Sequence, residues 1–104
     1  MELTLSSHRV LETVTTAVSG DIDLSNADEL ERHLAEQLAG DAGTVDLDLT
    51  DVLFIDSAGI NILVTARRRA DEMGKTLRVT GASGLVRELL EMTGVWQYLS
   101  DTAR

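Results

Sequence analysis

The sequence contains no cysteine and no proline among its 104 residues. The absence of cysteine excludes disulfides, thiol catalysis and thiolate metal sites, and the absence of proline suits regular helices and strands. Aromatic residues make up only 3% of the chain, so a core must be built from aliphatic side chains. No apolar run approaches the length of a membrane span, and the N-terminus lacks a signal-peptide pattern. We therefore expect a cytoplasmic protein without a membrane partner.

Positive charge is also scarce. Nine Lys and Arg residues stand against 18 Asp and Glu residues, which gives a formal net charge of −9. Such a balance argues against binding to nucleic-acid backbones or anionic lipids, and it favours a partner with a basic patch. With 43% hydrophobic residues, the chain should fold, and its length predicts a single domain over residues 1–104.

The central part of the chain combines a strand pattern with a helix pattern. Residues 45–51 alternate between apolar and polar side chains, as in a strand with one buried face, and a second apolar run follows at 52–55. After Ser57 the apolar residues recur at helical spacing, and Gly74 is placed to end that helix. The sequence therefore predicts a strand, a short polar corner and a helix, with the Ser57 hydroxyl at the corner.

Two strands and a helix are predicted before this stretch. Residues 3–5 and 10–19 have strand patterns, and the short link between them favours an antiparallel pair. We expect the first strand to break at 7–9 and the second to stop at a turn over 20–23. Ser25 is the predicted cap of the following helix. The buried stripe expected along that helix comprises Ala27, Leu30, Leu34 and Leu38.

A strand at 76–80 follows the central helix, and Ser83 is the predicted cap of the next helix. Residues 95–99 are expected to dock as a short segment over an edge of the core. The buried face predicted for the helix after Ser83 comprises Val86, Leu89 and Leu90.

Charged residues within the predicted strands indicate how the layers are arranged. Asp46, Asp48 and Arg78 alternate with apolar neighbours, whereas strands buried on both faces are continuously apolar. The strands at 45–49 and 76–80 should be parallel, joined by a right-handed crossover. We predict a small two-layer α/β domain, with a mixed four- to five-stranded sheet and helices mainly on one face.

Two interpretations of Ser57 require no partner protein. The first is an ordinary helix N-cap, which stabilises a helix by about 1 kcal/mol. The second is the nucleophile of a hydrolase, because a nucleophile elbow also places serine between strand and helix. Ile55, however, stands where that motif needs its first glycine, and neither His8 nor His33 lies in a motif. We expect both histidines at the surface and no enzymatic activity.

Three other patterns carry less weight. Aspartates at 21, 23, 46, 48, 51 and 56 raise the question of a divalent cation, but their spacing does not follow an EF-hand loop. The arginines at 67–69 predict a solvated helix face, paired with Asp71 and Glu72. Residues 81–84 lack the lysine and the spacing of a phosphate loop. We therefore predict no metal and no cofactor.

Residues 20–23 (GDID), 48–50 (DLT) and, most specifically, 54–60 (FIDSAGI) resemble the STAS domains of bacterial anti-sigma factor antagonists. The likeness spans nearly the whole chain. It implies that the protein captures an anti-sigma factor that is also a serine kinase, and so releases a sigma factor. Phosphorylation of Ser57 by that kinase would end the capture, which implies a phosphatase to reverse it. Ala58 departs from the family pattern, since many members have serine or threonine there.

The resemblance also assigns a partner-binding surface. By position it would comprise Asp23, Asp56, Ser57, Ala58, Ile60 and Asn61. The alternative is a STAS-like interaction subunit of a transporter ATPase or signalling scaffold, which phosphorylation does not regulate.

Overall fold

The computed structural model describes residues 3–82 and 84–100, and within them it contains four strands and four helices. The predicted cap Ser83 lies outside the described residues. The strands are β1 (Thr4–Val10), β2 (Thr13–Ile22), β3 (Thr44–Ile55) and β4 (Thr76–Gly81). The helices are α1 (Ala27–Ala39), α2 (Ser57–Glu72), α3 (Gly84–Met92) and α4 (Trp96–Ser100).

The four strands form one mixed sheet in the order β1-β2-β3-β4. β1 and β2 are antiparallel, whereas β3 is parallel to both β2 and β4. The predicted α/β class and the predicted pairings are therefore confirmed. Because β2, β3 and β4 are parallel, their carboxyl ends meet at one end of the sheet, where the loops leading into the helices lie.

β1 and β2 are longer than predicted. β1 does not break at 7–9, because Ser7 pairs with Thr16 in register and the two hydroxyls are hydrogen bonded at 2.9 Å. The chain turns instead at Leu11, whose φ of +55° is unusual for a leucine. β2 does not stop at residue 20, because Gly20 adopts a φ of +103° inside the strand and pairing continues to Ile22.

β3 contains two more residues than the stretch of β2 that it pairs with. Between the first and last partners, β2 advances from 13 to 22 while β3 advances from 44 to 55. One register shift leaves Leu53 as the extra residue, because Val52 pairs with Gly20 and Phe54 with Asp21. A bulge of this kind breaks the alternation of a strand. Leu53 and Phe54 are accordingly both exposed, although they lie between buried residues.

One aliphatic cluster forms the core and includes buried residues from the sheet and from all four helices. The stripe predicted along α1 is buried as expected. On the opposite face of the sheet, Asp46 and Arg78 are register partners whose side chains form an ion pair, with Arg78 Nε donating to Asp46 Oδ1 at 2.6 Å. The two-layer prediction, with one wet face, is confirmed.

Arg67 contradicts the prediction of a fully solvated arginine face. Its side chain is buried, donates to the carbonyl of Tyr98 and to the Asp71 carboxylate, and lies 4.7 Å from the centre of the Tyr98 ring. The prediction failed because the partner is α4, which the helical periodicity of α2 does not reveal. Arg68 and Arg69 are exposed as expected. α4 also buries Leu99, so the segment at 95–99 docks as predicted.

Candidate functional site

Ser57 is the first residue of α2 and its side chain is exposed. Within residues 3–82 and 84–100, no other group is hydrogen bonded to its hydroxyl. The reading of Ser57 as the helix N-cap is wrong, because Asp56 occupies that position and its Oδ1 accepts the N–H of Gly59 at 3.0 Å. The hydroxyl is therefore open to another molecule.

The Asp56 carboxylate joins two loops at this end of the sheet. While Oδ1 caps α2, Oδ2 accepts the backbone N–H of Leu24, from the loop between β2 and α1, at 3.2 Å. The backbone N–H of Asp56 donates in turn to the carbonyl of Ile22 at 3.1 Å. Hydrogen bonds of Asp56 thus hold the corner that carries Ser57 against the loop that begins at Asp23.

The loop between β2 and α1 is itself held by side-chain hydrogen bonds. Asn26 accepts from the Asp23 N–H at 3.0 Å and donates to the carbonyl of Asp21 at 2.8 Å. The predicted cap Ser25 does not cap α1: its hydroxyl and its N–H both donate to Asp23 Oδ1, and Asn26 flanks the helix instead. The prediction was wrong because the Asp23 carboxylate competes for the serine hydroxyl.

The hydrogen bond from the Ser25 hydroxyl lowers the pKa of Asp23 below its ordinary value, and the backbone N–H groups of Ser25 and Asn26 act in the same direction. Asp23 is therefore ionised at neutral pH. The loop beside Ser57 consequently carries a fixed negative charge.

Gly59 lets the helix approach the sheet closely enough to place Ser57 at the corner. A Cβ atom on this residue would lie 2.6 Å from Ile22 Cγ2 and 2.7 Å from Ile55 Cγ1, closer than van der Waals contact allows. Both isoleucines are fully buried and end the two strands that lead to the site. The glycine is thus required by packing rather than by its dihedral angles.

The structure brings the predicted partner-binding residues to one end of the sheet. Asn61 follows Ser57 by one helical turn and is likewise exposed, whereas Ala58 and Ile60 are half-buried. The sequence interpretation missed the exposed Leu24, although its place between two polar segments was visible. It also missed the exposure of Leu53 and Phe54, because no sequence signal marks the bulge.

Among the described residues, neither histidine is hydrogen bonded to Ser57. His8 is exposed as predicted, but His33 is half-buried and its Nε2 lies 2.9 Å from the Ser7 hydroxyl. A groove of about 470 Å³ beside His33 does not include Ser57. In the part of the chain that the structure describes, no three carboxylates or histidines converge as metal ligands. Nor does any described helix have the length and apolarity needed to cross a membrane.

A family model described as "Mlab, STAS domain" matches residues 6–100. The chain belongs to the STAS domain family. This STAS domain is 26% identical over 91 residues to an anti-sigma-B factor antagonist of Staphylococcus epidermidis, in an alignment that covers 82% of the chain and 84% of that relative. The family resemblance drawn from residues 20–23, 48–50 and 54–60 is therefore confirmed.

Solved structures support the same fold. An anti-sigma factor antagonist from Mycobacterium paratuberculosis superposes with a TM-score of 0.85 at 22% identity, covering 96% of this chain and 84% of that one. The anti-sigma factor antagonist SpoIIAA superposes at 16% identity in its unphosphorylated form (TM-score 0.79, covering 97% and 89%) and in its phosphorylated form (0.72, covering 97% and 92%). At these identities the likeness establishes the fold.

Proposed function

We propose that this STAS domain is an anti-sigma factor antagonist that is switched at Ser57. In its unphosphorylated form it binds an anti-sigma factor with serine kinase activity, and the sigma factor is released. The observation that carries the proposal is the exposed Ser57 hydroxyl at the first position of α2, without a hydrogen-bond partner among the described residues. Such a hydroxyl can reach a nucleotide bound by another protein.

The charge of the domain favours a basic partner. Its formal net charge is −9, and Asp23 and Asp56 flank the corner. We assign the docking surface to Asp23, Asp56, Ser57, Ala58, Ile60 and Asn61. Opposite charges across such an interface raise the association rate and exclude wrong partners more than they raise affinity.

Phosphorylation would act on the interface and leave the fold intact. A phosphate adds about −1.5 to −2 charges, which the N-terminus of α2 tolerates because its N–H groups and dipole favour anions. Asp56 would repel the phosphate, and a partner docked on Ser57 would have to bury it. A loss of only ~3 kcal/mol in binding weakens a complex more than a hundredfold.

In this scheme the domain is a regulator and supplies no catalytic group. The kinase brings ATP and its magnesium ion, and a phosphatase restores the free hydroxyl. We place the exchange in the cytoplasm, where a sigma factor acts.

Phosphate transfer tests the proposal. The purified anti-sigma factor serine kinases of the source organism are incubated with Mg-ATP and with wild type, Ser57→Ala or Ser25→Ala, and the phosphopeptides are mapped by mass spectrometry. Wild type and Ser25→Ala should be phosphorylated at residue 57, while Ser57→Ala should remain unmodified. Absence of transfer, or transfer to Ser25, would contradict the proposal and favour an interaction subunit that phosphorylation does not regulate.

A further inference from the structure

Three large apolar side chains are exposed on segments next to Ser57. Leu24 is 79% exposed, Leu53 67% and Phe54 40%. We call these three residues the corner patch. Single exposed apolar residues are common at protein surfaces, but three on two hydrogen-bonded segments are more informative.

Backbone pairing brings the segments of the corner patch together. Phe54 is the register partner of Asp21 at the end of β2. Three residues later, the N–H of Leu24 donates to Asp56, which follows directly after β3. The loop that carries Leu24 and the strand end that carries Leu53 and Phe54 therefore lie side by side.

The backbone conformation determines that the corner patch is exposed. The bulge at Leu53 removes one step of strand alternation, so that both Leu53 and Phe54 point away from the core. Leu24 lies in a loop fixed by three backbone donors: its own N–H donates to Asp56, the Asp23 N–H donates to Asn26, and the Ser25 N–H donates to Asp23. A leucine on such a rigid loop loses little conformational entropy when a partner covers it.

The charges around the corner patch restrict its occupant. Asp21 and Asp23 precede Leu24 by three residues and one residue, Asp51 precedes Leu53 by two residues, and Asp56 accepts the Leu24 N–H. An apolar centre with a charged rim is the usual anatomy of a protein interface. A second copy of this acidic chain would oppose carboxylates with carboxylates, whereas a partner with basic residues would neutralise them.

We infer that Leu24 is the apolar anchor of the partner complex and inserts into an apolar pocket, rimmed by basic side chains, on the anti-sigma factor. Leu53 and Phe54 cover the edge of that pocket. The inference rests on the proposed function but concerns a different determinant. Ser57 decides whether the complex forms, and Leu24 supplies much of its affinity.

Substitution of Leu24 by glutamine tests the inference, with Leu11→Gln as the matched control. Leu11 is 85% exposed and lies at the turn between β1 and β2, at the opposite end of the strands from Ser57. Binding to the purified anti-sigma factor kinases of the source organism is measured by calorimetry. Leu24→Gln should weaken binding by about tenfold or more, which corresponds to the burial of one leucine side chain, and Leu11→Gln by less than about twofold.

The outcomes distinguish a failure of the Leu24 anchor from a failure of the proposed function. If wild type binds and Leu24→Gln binds equally well, the anchor is overturned while the proposed function stands. If wild type binds none of the kinases, the proposed function fails and the stated partner of Leu24 fails with it. Leu24→Ala, whose circular dichroism and urea midpoint should match wild type, shows whether any loss arises from the missing side chain or from misfolding.

Discussion

Asp56 and Leu24 are 32 positions apart in the chain, yet Oδ2 of the aspartate accepts the N–H of the leucine at 3.2 Å. The same carboxylate caps the helix that begins at Ser57. One side chain therefore fixes both the candidate switch and the exposed loop beside it. This arrangement explains how a short polar corner holds the Ser57 hydroxyl in a defined place without burying it.

Replacing Asp56 by alanine should destabilise the fold by about 1–2 kcal/mol, because the helix loses its cap and Leu24 loses its acceptor. Urea unfolding measures the change, and hydrogen exchange should be faster at the Leu24 and Gly59 amides. Asp51→Ala removes an equal charge from an exposed strand position, and its effect should stay within about 0.5 kcal/mol. Equal effects of the two substitutions would contradict the capping role.

Gly59→Ala should also destabilise the protein, although alanine favours helices. The new methyl group would lie 2.6 Å from Ile22 and 2.7 Å from Ile55. Overpacking of this kind costs about 1–3 kcal/mol, more than the gain of up to about 1 kcal/mol in helix propensity. Asn61→Ala, at an exposed position of the same helix, serves as the control in thermal unfolding. A higher melting temperature for Gly59→Ala would show that the packing is looser than described.

Arg67→Ala should release α4 from α2. The buried guanidinium donates to the Tyr98 carbonyl and to Asp71, and hydrogen bonds of charged groups contribute about 1.5–3 kcal/mol. We expect a loss of about that size in urea unfolding, together with a change in the fluorescence of Trp96, the single tryptophan. Arg68→Ala, which alters an exposed neighbour, should change neither signal. Indistinguishable behaviour of the two variants would contradict the role of Arg67 in holding α4 against α2.

The low pKa of Asp23 should depend on the Ser25 hydroxyl. Ser25→Ala removes the largest cause of the shift, so the Asp23 pKa should rise toward its ordinary value in a carboxyl NMR titration. Since the folded-state pKa is lowered, the stabilisation is fully present above the unfolded-state pKa and is lost as pH falls through the folded-state pKa. The Asp48 pKa, which the Thr50 hydroxyl lowers, should not change and provides the control. An unmoved Asp23 pKa would contradict the assignment.

The architecture could be predicted from the sequence because apolar periodicity dominates it. The stripe along α1 and the alternation of Asp46 and Asp48 with buried residues determine which face of each element is covered. Those patterns are local, and tertiary packing agreed with them. The strand ends were less predictable, because Gly20 can either end a strand or continue it with a positive φ.

The details of the site depended on contacts between residues far apart in the chain. Asp56 is a residue type that commonly caps helices, but nothing near Ser57 in sequence indicates that the same carboxylate also accepts the Leu24 N–H. The buried Arg67 is similar, since its partner Tyr98 lies 31 positions away. The bulge at Leu53 arises from the pairing of β3 with β2, which sequence alternation alone does not encode.

The most direct test of the account compares the affinity of the anti-sigma factor for the unmodified domain and for the domain phosphorylated at Ser57, with Ser57→Asp and Ser57→Ala measured alongside. Calorimetry should show binding by wild type and Ser57→Ala. It should show a more than about hundredfold loss for the phosphorylated form and a marked loss for Ser57→Asp. Equal affinity of the phosphorylated and unmodified domains would contradict the switch and leave an interaction module that phosphorylation does not control.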